Sequence, residues 1–383
     1  MPGHIMGADP NNAVIKRGRK LGARWFKNQS PTVLERIHDA VGLNFTPAIG
    51  GVGGSSDFDS QPIYKDIRLC NMQNGAVTAY QGDAGFTRTP GAGIDVMVEI
   101  PLFYYRIDES SDVRDFIISD QPFDGALISP RHAPHDGFPA GHPFIYVSAY
   151  TVNSAYQSMS GNLSQVSMTR DTARQACSAR GANYWQYDFA TYMTLLMLYI
   201  VEVADWNSQA AVGQGNTTTS AQIATGDSDN ITFHSGSNDA AGAAVRAVKY
   251  RNIENMWGNI RQFVDGINFV ATQGYVSIEP VGYDDATITG NYKQVGYTIA
   301  GTNGFITALG YDPAMPFVQM PSAVGGADGT FIPDQSYQST GQRVLFVGGT
   351  WSSAASAGVL CFNASSSPAG AGTYIGARLL VLP

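Results

Sequence analysis

Cysteine is scarce. Cys70, Cys177 and Cys361 are the three thiols in 383 residues, far apart and without a CxxC pair. That spacing offers neither a zinc site nor a disulfide framework. Cys177 falls on the apolar face of an expected helix and reads as packing. Charge is scarce as well: 14% of residues are Asp, Glu, Lys or Arg, and the balance is acidic, with a net charge of −8. Nucleic acid is therefore not the expected partner, because neutralising phosphates takes clustered Lys and Arg. The basic run Lys16-Arg17-Gly18-Arg19-Lys20 reads as a solvated N-terminal arm. No apolar run reaches bilayer length. Phe189–Val203 comes nearest, but Thr191, Thr194 and Glu202 interrupt it, so it reads as a buried helix and no membrane insertion is expected. The first residues lack an apolar core of the signal-peptide kind, so none is expected.

Glycine is abundant, at 43 residues, and the hydrophobic share of 44% is that of a globular chain. Together they point to a turn-rich, strand-rich protein of two or three domains. Thr32-Val-Leu-Glu35 has the form of a capping box. Val33, Leu34, Ile37 and Val41 then share one helical face, and Gly42 suits the stop. A Gly/Ser loop, Gly50–Ser56, follows. Strand signals begin near residue 63: Gly75–Tyr80 alternates, Val96–Arg106 is a long strand-forming run, and Phe144–Tyr150 is another. Two helices come next. Thr169 caps the first, with Ala173, Ala176 and Cys177 inward and Gly181 as its stop; Asp188 caps the second. Ala210–Asp239 is poor in large apolar residues and reads as a surface excursion. Strands resume at Met256–Asp265 and close the chain around a small, polar, nearly uncharged stretch.

Two regions carry a resemblance. Ser30–Leu43, Ile67-Arg-Leu-Cys-Asn71, Ala79–Asp83 and Met97–Tyr105 resemble the front half of phage and prophage tail proteins. The two helices, Asn255–Asp265, Val347-Gly-Gly-Thr-Trp351 and Ile375-Gly-Ala-Arg378 are similar to the C-type-lectin-like fold. That fold is shared by relatives of the formylglycine-generating enzyme and by the variable proteins of diversity-generating retroelements, the phage tropism determinants among them. The resemblance covers most of the chain outside 205–245 and 275–340. It implies an α+β protein: a C-type-lectin-like domain with two helices and small antiparallel sheets, preceded by a β-rich region and a short helical N-terminal segment. The expected divisions are an attachment or assembly segment at 1–62, the β-rich region at 63–150 and the ligand-binding domain at 151–383, with a variable-type surface at 344–379.

In such proteins the residues between Gly-Gly-x-Trp and Ile-Gly-Ala-Arg form the ligand surface. Carried over here, the contact residues are Thr350, Ser352, Ser353, Ser356, Phe362 and Asn363, with Ser365, Ser366, Ser367, Thr373 and Tyr374. Gly348, Gly349, Trp351, Ile375, Gly376 and Arg378 are the scaffold, with Trp351 expected to anchor the loop from below. Small polar side chains around a few aromatics are also the mixture antibody-type binding surfaces use. The implied function is receptor binding at a tail tip, with a host cell-surface protein or glycan and other tail proteins as partners, no cofactor, and a homo-oligomer as a further expectation.

The rival is an enzyme of the formylglycine-generating type or a glycan-cleaving tail protein. The copper-binding cysteine pair of the formylglycine-generating type is broken, since Cys361 stands alone near the C-terminus, and the His-x-x-x-His-x-Glu triad of the iron-dependent sulfoxide-forming branch is absent. His132, His135, Asp136 and His142 hold metal-ligand chemistry, but Pro134, Gly137, Pro139, Gly141 and Pro143 mark an irregular loop, and no metal is expected there. Asp284 and Asp285 are adjacent, point apart on a strand, and read as a turn or calcium loop rather than a catalytic pair.

Overall fold

The computed structural model describes residues 18–238 and 247–383; Lys16 and Arg17 of the basic run lie outside the described residues. The chain is mostly β, with 35% strand, 11% helix and three α-helices among the described residues. This corrects the expected α+β, C-type-lectin-like architecture with small sheets. The stretch 275–340, which the resemblance leaves unassigned, supplies strands Lys293–Thr298, Gly304–Leu309, Pro321–Val324 and Ile332–Gln338. They extend Gln273–Val276, Arg261–Val270, Gln342–Val347 and Phe362–Ser366 into a nine-stranded sheet, with Ile375–Gly376 pairing parallel to Arg261–Val270.

Two further large sheets complete the frame. In one, Lys20–Phe26 lies between Val113–Ser119 and Glu35–His38. In the other, Phe144–Ser148 lies between Ile94–Pro101 and Leu379–Val381, so the last strand of the chain closes a sheet begun near residue 68. Ordering such distant partners is entropically slow work for a chain, and nothing local in the sequence announces it.

The expected N-terminal helix is the second correction. Glu35–His38 is an edge strand on Lys20–Phe26. The Leu34 N–H donates to the Ala204 carbonyl (2.8 Å), and the Trp206 N–H to the Thr32 carbonyl (2.9 Å). With those groups committed to the end of another helix, the Thr32 capping box has no helix to cap. Val33 and Val41 of the supposed apolar face are 65% and 67% exposed. Gly42 does hold a positive φ (+82°), closing a turn.

The two later helices form where expected. Helix α1, Arg170–Ser178, begins with Thr169 Oγ1 accepting the Thr172 N–H. It buries Ala173 and Cys177, but Ala176 is half-buried and Gly181 lies beyond its end. Helix α2, Phe189–Val203, begins with Asp188 Oδ1 accepting from Thr191 N (2.8 Å), and Ala204 in the left-handed region (φ +55°) ends it. Every α2 side chain is buried, because the helix packs on Lys20–Phe26 and Val113–Ser119 as well as on Arg261–Val270. A helix apolar on all sides needs partners on all sides. No helix among the described residues is long and apolar enough to cross a membrane.

The Ala210–Asp239 segment is not the free excursion expected, over its described part to 238. Asn216, Thr217, Ser228, Ile231 and Ser235 are buried. Asn259 holds the stretch through its side chain, accepting from Ile223 N (2.8 Å) and donating to Ile223 O (3.1 Å). Small polar residues let that backbone lie close and be satisfied by hydrogen bonds instead of apolar burial.

Candidate functional site

The closing segment divides sharply into frame and face. Gln342–Val347 runs into the sheet, and Gly348 and Gly349 then turn the chain at φ +91° and +81°. A Cβ at Gly348 would stand 2.7 Å from the Met256 carbonyl oxygen, and one at Gly349 2.6 Å from Ala357 Cβ. Both positions demand glycine by conformation and by space. On the far side Ile375, Gly376 and Arg378 are buried. The Arg378 guanidinium donates to Gln262 Oε1 (2.8 Å), Ser148 O (2.5 Å) and Glu254 O (2.6 Å), joining three separate segments. Burial pulls its pKa down to about 10.

Three of the expected contact residues belong to the frame. Phe362 is fully buried, edge-on to Phe269 at 5.9 Å, because Phe362–Ser366 sits inside the nine-stranded sheet between Gln342–Val347 and Ile332–Gln338. Asn363, 3% exposed, turns its Oδ1 to Ser365 N (3.0 Å) and Oγ (2.7 Å). Thr350 is 5% exposed, its Oγ1 within 3.2 Å of Ser352 Oγ and 3.1 Å of Ser353 Oγ. Burial removes Phe362 and Asn363 from the contact surface and leaves Thr350 only at its floor.

The face is what remains. Ser352, Thr373 and Tyr374 are exposed; Ser353, Ser356, Ser365, Ser366 and Ser367 are half-buried. Thr350, Ser352, Ser353, Ser356 and Tyr374 line one open depression of about 400 Å³. Trp351 lines it too, half-exposed rather than anchoring from below. Its backbone fixes it instead, donating to Asn259 O (2.9 Å) and accepting from Thr219 N (2.7 Å).

Two residues from distant strands complete the depression, and sequence reasoning missed both. Arg261 and Tyr337 come from Arg261–Val270 and Ile332–Gln338. The Arg261 guanidinium lies 5.2 Å from the Phe346 ring centroid, 5.6 Å from that of Tyr374 and 5.8 Å from that of Tyr337. Such cation–π contacts orient the cation without discharging its hydrogen-bonding capacity. The one available signal was Arg261 itself, a cation opening a strand-forming run.

The catalytic and metal candidates lie elsewhere and are tied up. Cys70, Cys177 and Cys361 are buried and unpaired. Burial pushes Cys70 and Cys361 up to about 12, far from the thiolate a nucleophile needs. Asp284 Oδ1 accepts from Ala286 N (2.6 Å) and Thr287 N (2.8 Å), while Asp285 accepts from Arg170 and Arg174, so each acid serves its own structural contact. Among the described residues, Asp59, Glu202 and His234 form the one group spaced to hold a metal ion. Arg251 already stands there as the cation, on Asp59 (2.7 Å) and on both oxygens of Glu202.

The histidine loop is likewise internal. His135 and His142 meet Nε2 to Nε2 at 2.9 Å, and His142 Nδ1 meets the Pro383 carbonyl at 2.9 Å. His132 is fully buried, with Nδ1 at 2.7 Å from Ser129 Oγ and Nε2 at 3.1 Å from the Ile100 carbonyl. Only the neutral ring suits that pair of partners if Ser129 donates, and burial pushes the pKa down to about 3. A depressed histidine contributes stability above the unfolded value of 6.5 and loses it as pH falls. From pH 6.5 towards 4 this one group should cost about 1.4 kcal/mol per pH unit. His132→Gln, which keeps an Nε donor for Ile100, should flatten the fall in urea stability across that window by one proton; an unchanged slope would show the ring protonates in place.

No protein-family model matches the chain, and no curated protein matches it.

Proposed function

We propose that this chain is a receptor-binding, ligand-displaying protein of a phage or prophage tail, meeting a host surface protein or glycan through the face around Tyr374. The observation that carries the reading is the gathering of Ser352, Ser353, Ser356 and Tyr374 in one open depression beside a buried frame. A face whose side chains take no part in the core can change without unfolding what holds it. Its chemistry, short hydroxyls around aromatic rings, suits adaptable recognition. The tail-protein phrases near the N-terminus and the Gly-Gly-x-Trp…Ile-Gly-Ala-Arg pattern of variable proteins support the same reading. Each contact of this kind is weak, so adhesion would come from many copies at a tail tip acting together.

The test is adhesion of purified protein to intact bacterial cells of the host. The combined variant Ser352→Ala, Thr373→Ala, Tyr374→Ala is expected to lose at least tenfold in half-saturating concentration. Equal adhesion by native protein and variant would refute the proposal.

A further inference from the structure

We propose that the depression takes a carboxylated saccharide, a sugar acid of a surface glycan, with its carboxylate on Arg261. The inference rests on the reading of this face as the receptor contact and names the class of receptor. Its first support is an unused cation. Among the described arginines, Arg261 alone makes no side-chain hydrogen bond or ion pair, and its buried Nε has no partner. The fold is able to satisfy a guanidinium with neutral oxygens alone, as it does at Arg378. At Arg261 it does not, and the donor fork is left for something else.

The second support is the sign of the charge. Among the described residues Arg261 is the only charged one lining the depression, in a chain of net charge −8. An acidic protein gathers anions poorly over its general surface, so an isolated cation free of neighbouring carboxylates makes a local, selective anion site. The planar fork of arginine matches a carboxylate through two parallel hydrogen bonds.

The third support concerns what surrounds the cation. A phosphate monoester draws on several donors, commonly successive backbone N–H groups. Here those groups are spent. Thr350 N donates to Ser353 Oγ, Ser352 N to Thr350 Oγ1, Trp351 N to Asn259 O, and Ser353 N to Thr350 O. One guanidinium and no free backbone cradle suit a single negative charge. The Tyr374 and Tyr337 rings line the depression as apolar surface for the C–H faces of a sugar. The Ser356 hydroxyl donates to Ser353 O (2.6 Å) and is left to accept from a sugar hydroxyl, while the Ser352 hydroxyl, 3.2 Å from Thr350 Oγ1, keeps capacity to pair with one as well. At about 400 Å³ the depression is within the usual range for small-ligand sites.

Isothermal titration with 3′-sialyllactose, digalacturonate and a hyaluronan tetrasaccharide tests this, against lactose and glucose 6-phosphate. At least one acid saccharide is expected to bind at least tenfold more tightly than lactose and more tightly than the phosphate, with affinity falling as salt rises. Arg261→Met should remove at least tenfold of that affinity and Arg261→Lys less, while melting stays near native because the Arg261 side chain makes no hydrogen bond or ion pair in the fold and the Met side chain keeps apolar contact with the same rings. Lactose matching every acid, the phosphate binding best, no acid binding at all, or Arg261→Met leaving affinity unchanged would each overturn the inference. The broader reading is judged separately: if those results come with adhesion still lost in the Ser352, Thr373, Tyr374 variant, the face is a receptor contact for a different chemistry. If that variant adheres normally, the receptor reading itself falls.

Discussion

Phe362→Ala is expected to destabilise the protein by about 3–5 kcal/mol, the range for emptying a large aromatic from a closed core. Phe362 is fully buried, its ring meets Phe269 edge-on at 5.9 Å, and its strand has a neighbour on each side. There is no open edge into which the sheet could relax. Tyr374→Ala supplies the contrast. Tyr374 is 40% exposed, and its backbone carbonyl, not its ring, accepts the Arg261 N–H (2.9 Å). Its loss should alter stability by no more than about 0.5–1 kcal/mol. Urea unfolding of the two variants side by side separates frame from face within twelve positions of the sequence. A Phe362→Ala variant as stable as Tyr374→Ala would mean the ring is not held in the sheet.

Arg131→Met should be as damaging, by about 3–5 kcal/mol, for a different reason. Arg131 and Asp188 are both fully buried and meet at 2.7 Å. The guanidinium also donates to the Ile278 carbonyl (2.8 Å) and to Tyr283 Oη (3.2 Å), while Tyr283 donates to Asp188 Oδ2 (2.8 Å). Asp188 in turn caps α2. Removing the cation leaves a carboxylate in the interior with its charge uncompensated, and that penalty, rather than the attraction lost, sets the size of the effect. Asp188→Asn on the Arg131→Met background should recover part of the loss, since the amide oxygen is able to keep the Thr191 cap without the charge. A double variant as unstable as the sum of the two singles would show the two residues act independently.

These residues also show where the sequence was readable. Helix α2 was legible because its signals are local: a capping aspartate, then an apolar run too short for a bilayer. Helix α1 was legible from Thr169 and from Cys177 on its inner side, although its buried Arg170 was not. The Thr32–Val41 segment misled because a capping box is only permission to form a helix. The backbone there is claimed by Ala204–Trp206 and by Lys20–Phe26, both remote in sequence. The large sheet stayed hidden for the same reason, its neighbours being set by long-range pairing and its strands at 293–338 lacking a clean alternation.

The site was half legible. Ser352, Ser353, Ser356, Thr373 and Tyr374 look like surface in composition and are exposed or half-buried in the fold. Phe362 closes the apolar run Val359-Leu-Cys-Phe362, a local sign of burial that the carried-over contact set passed over, while the place of its strand inside a sheet is set by long-range pairing. Arg261 and Tyr337 enter from strands far away in sequence, and their meeting with Tyr374 is a property of the sheet alone.

As proposed, the surface around Tyr374 binds while contributing little to the frame beneath it. Thermal melting and cell adhesion, measured on the same preparation of the Ser352→Ala, Thr373→Ala, Tyr374→Ala protein, test that most directly. The expected result is a melting temperature within a few degrees of native together with adhesion reduced at least tenfold. Native adhesion, or a collapse of melting in step with the lost adhesion, would contradict it.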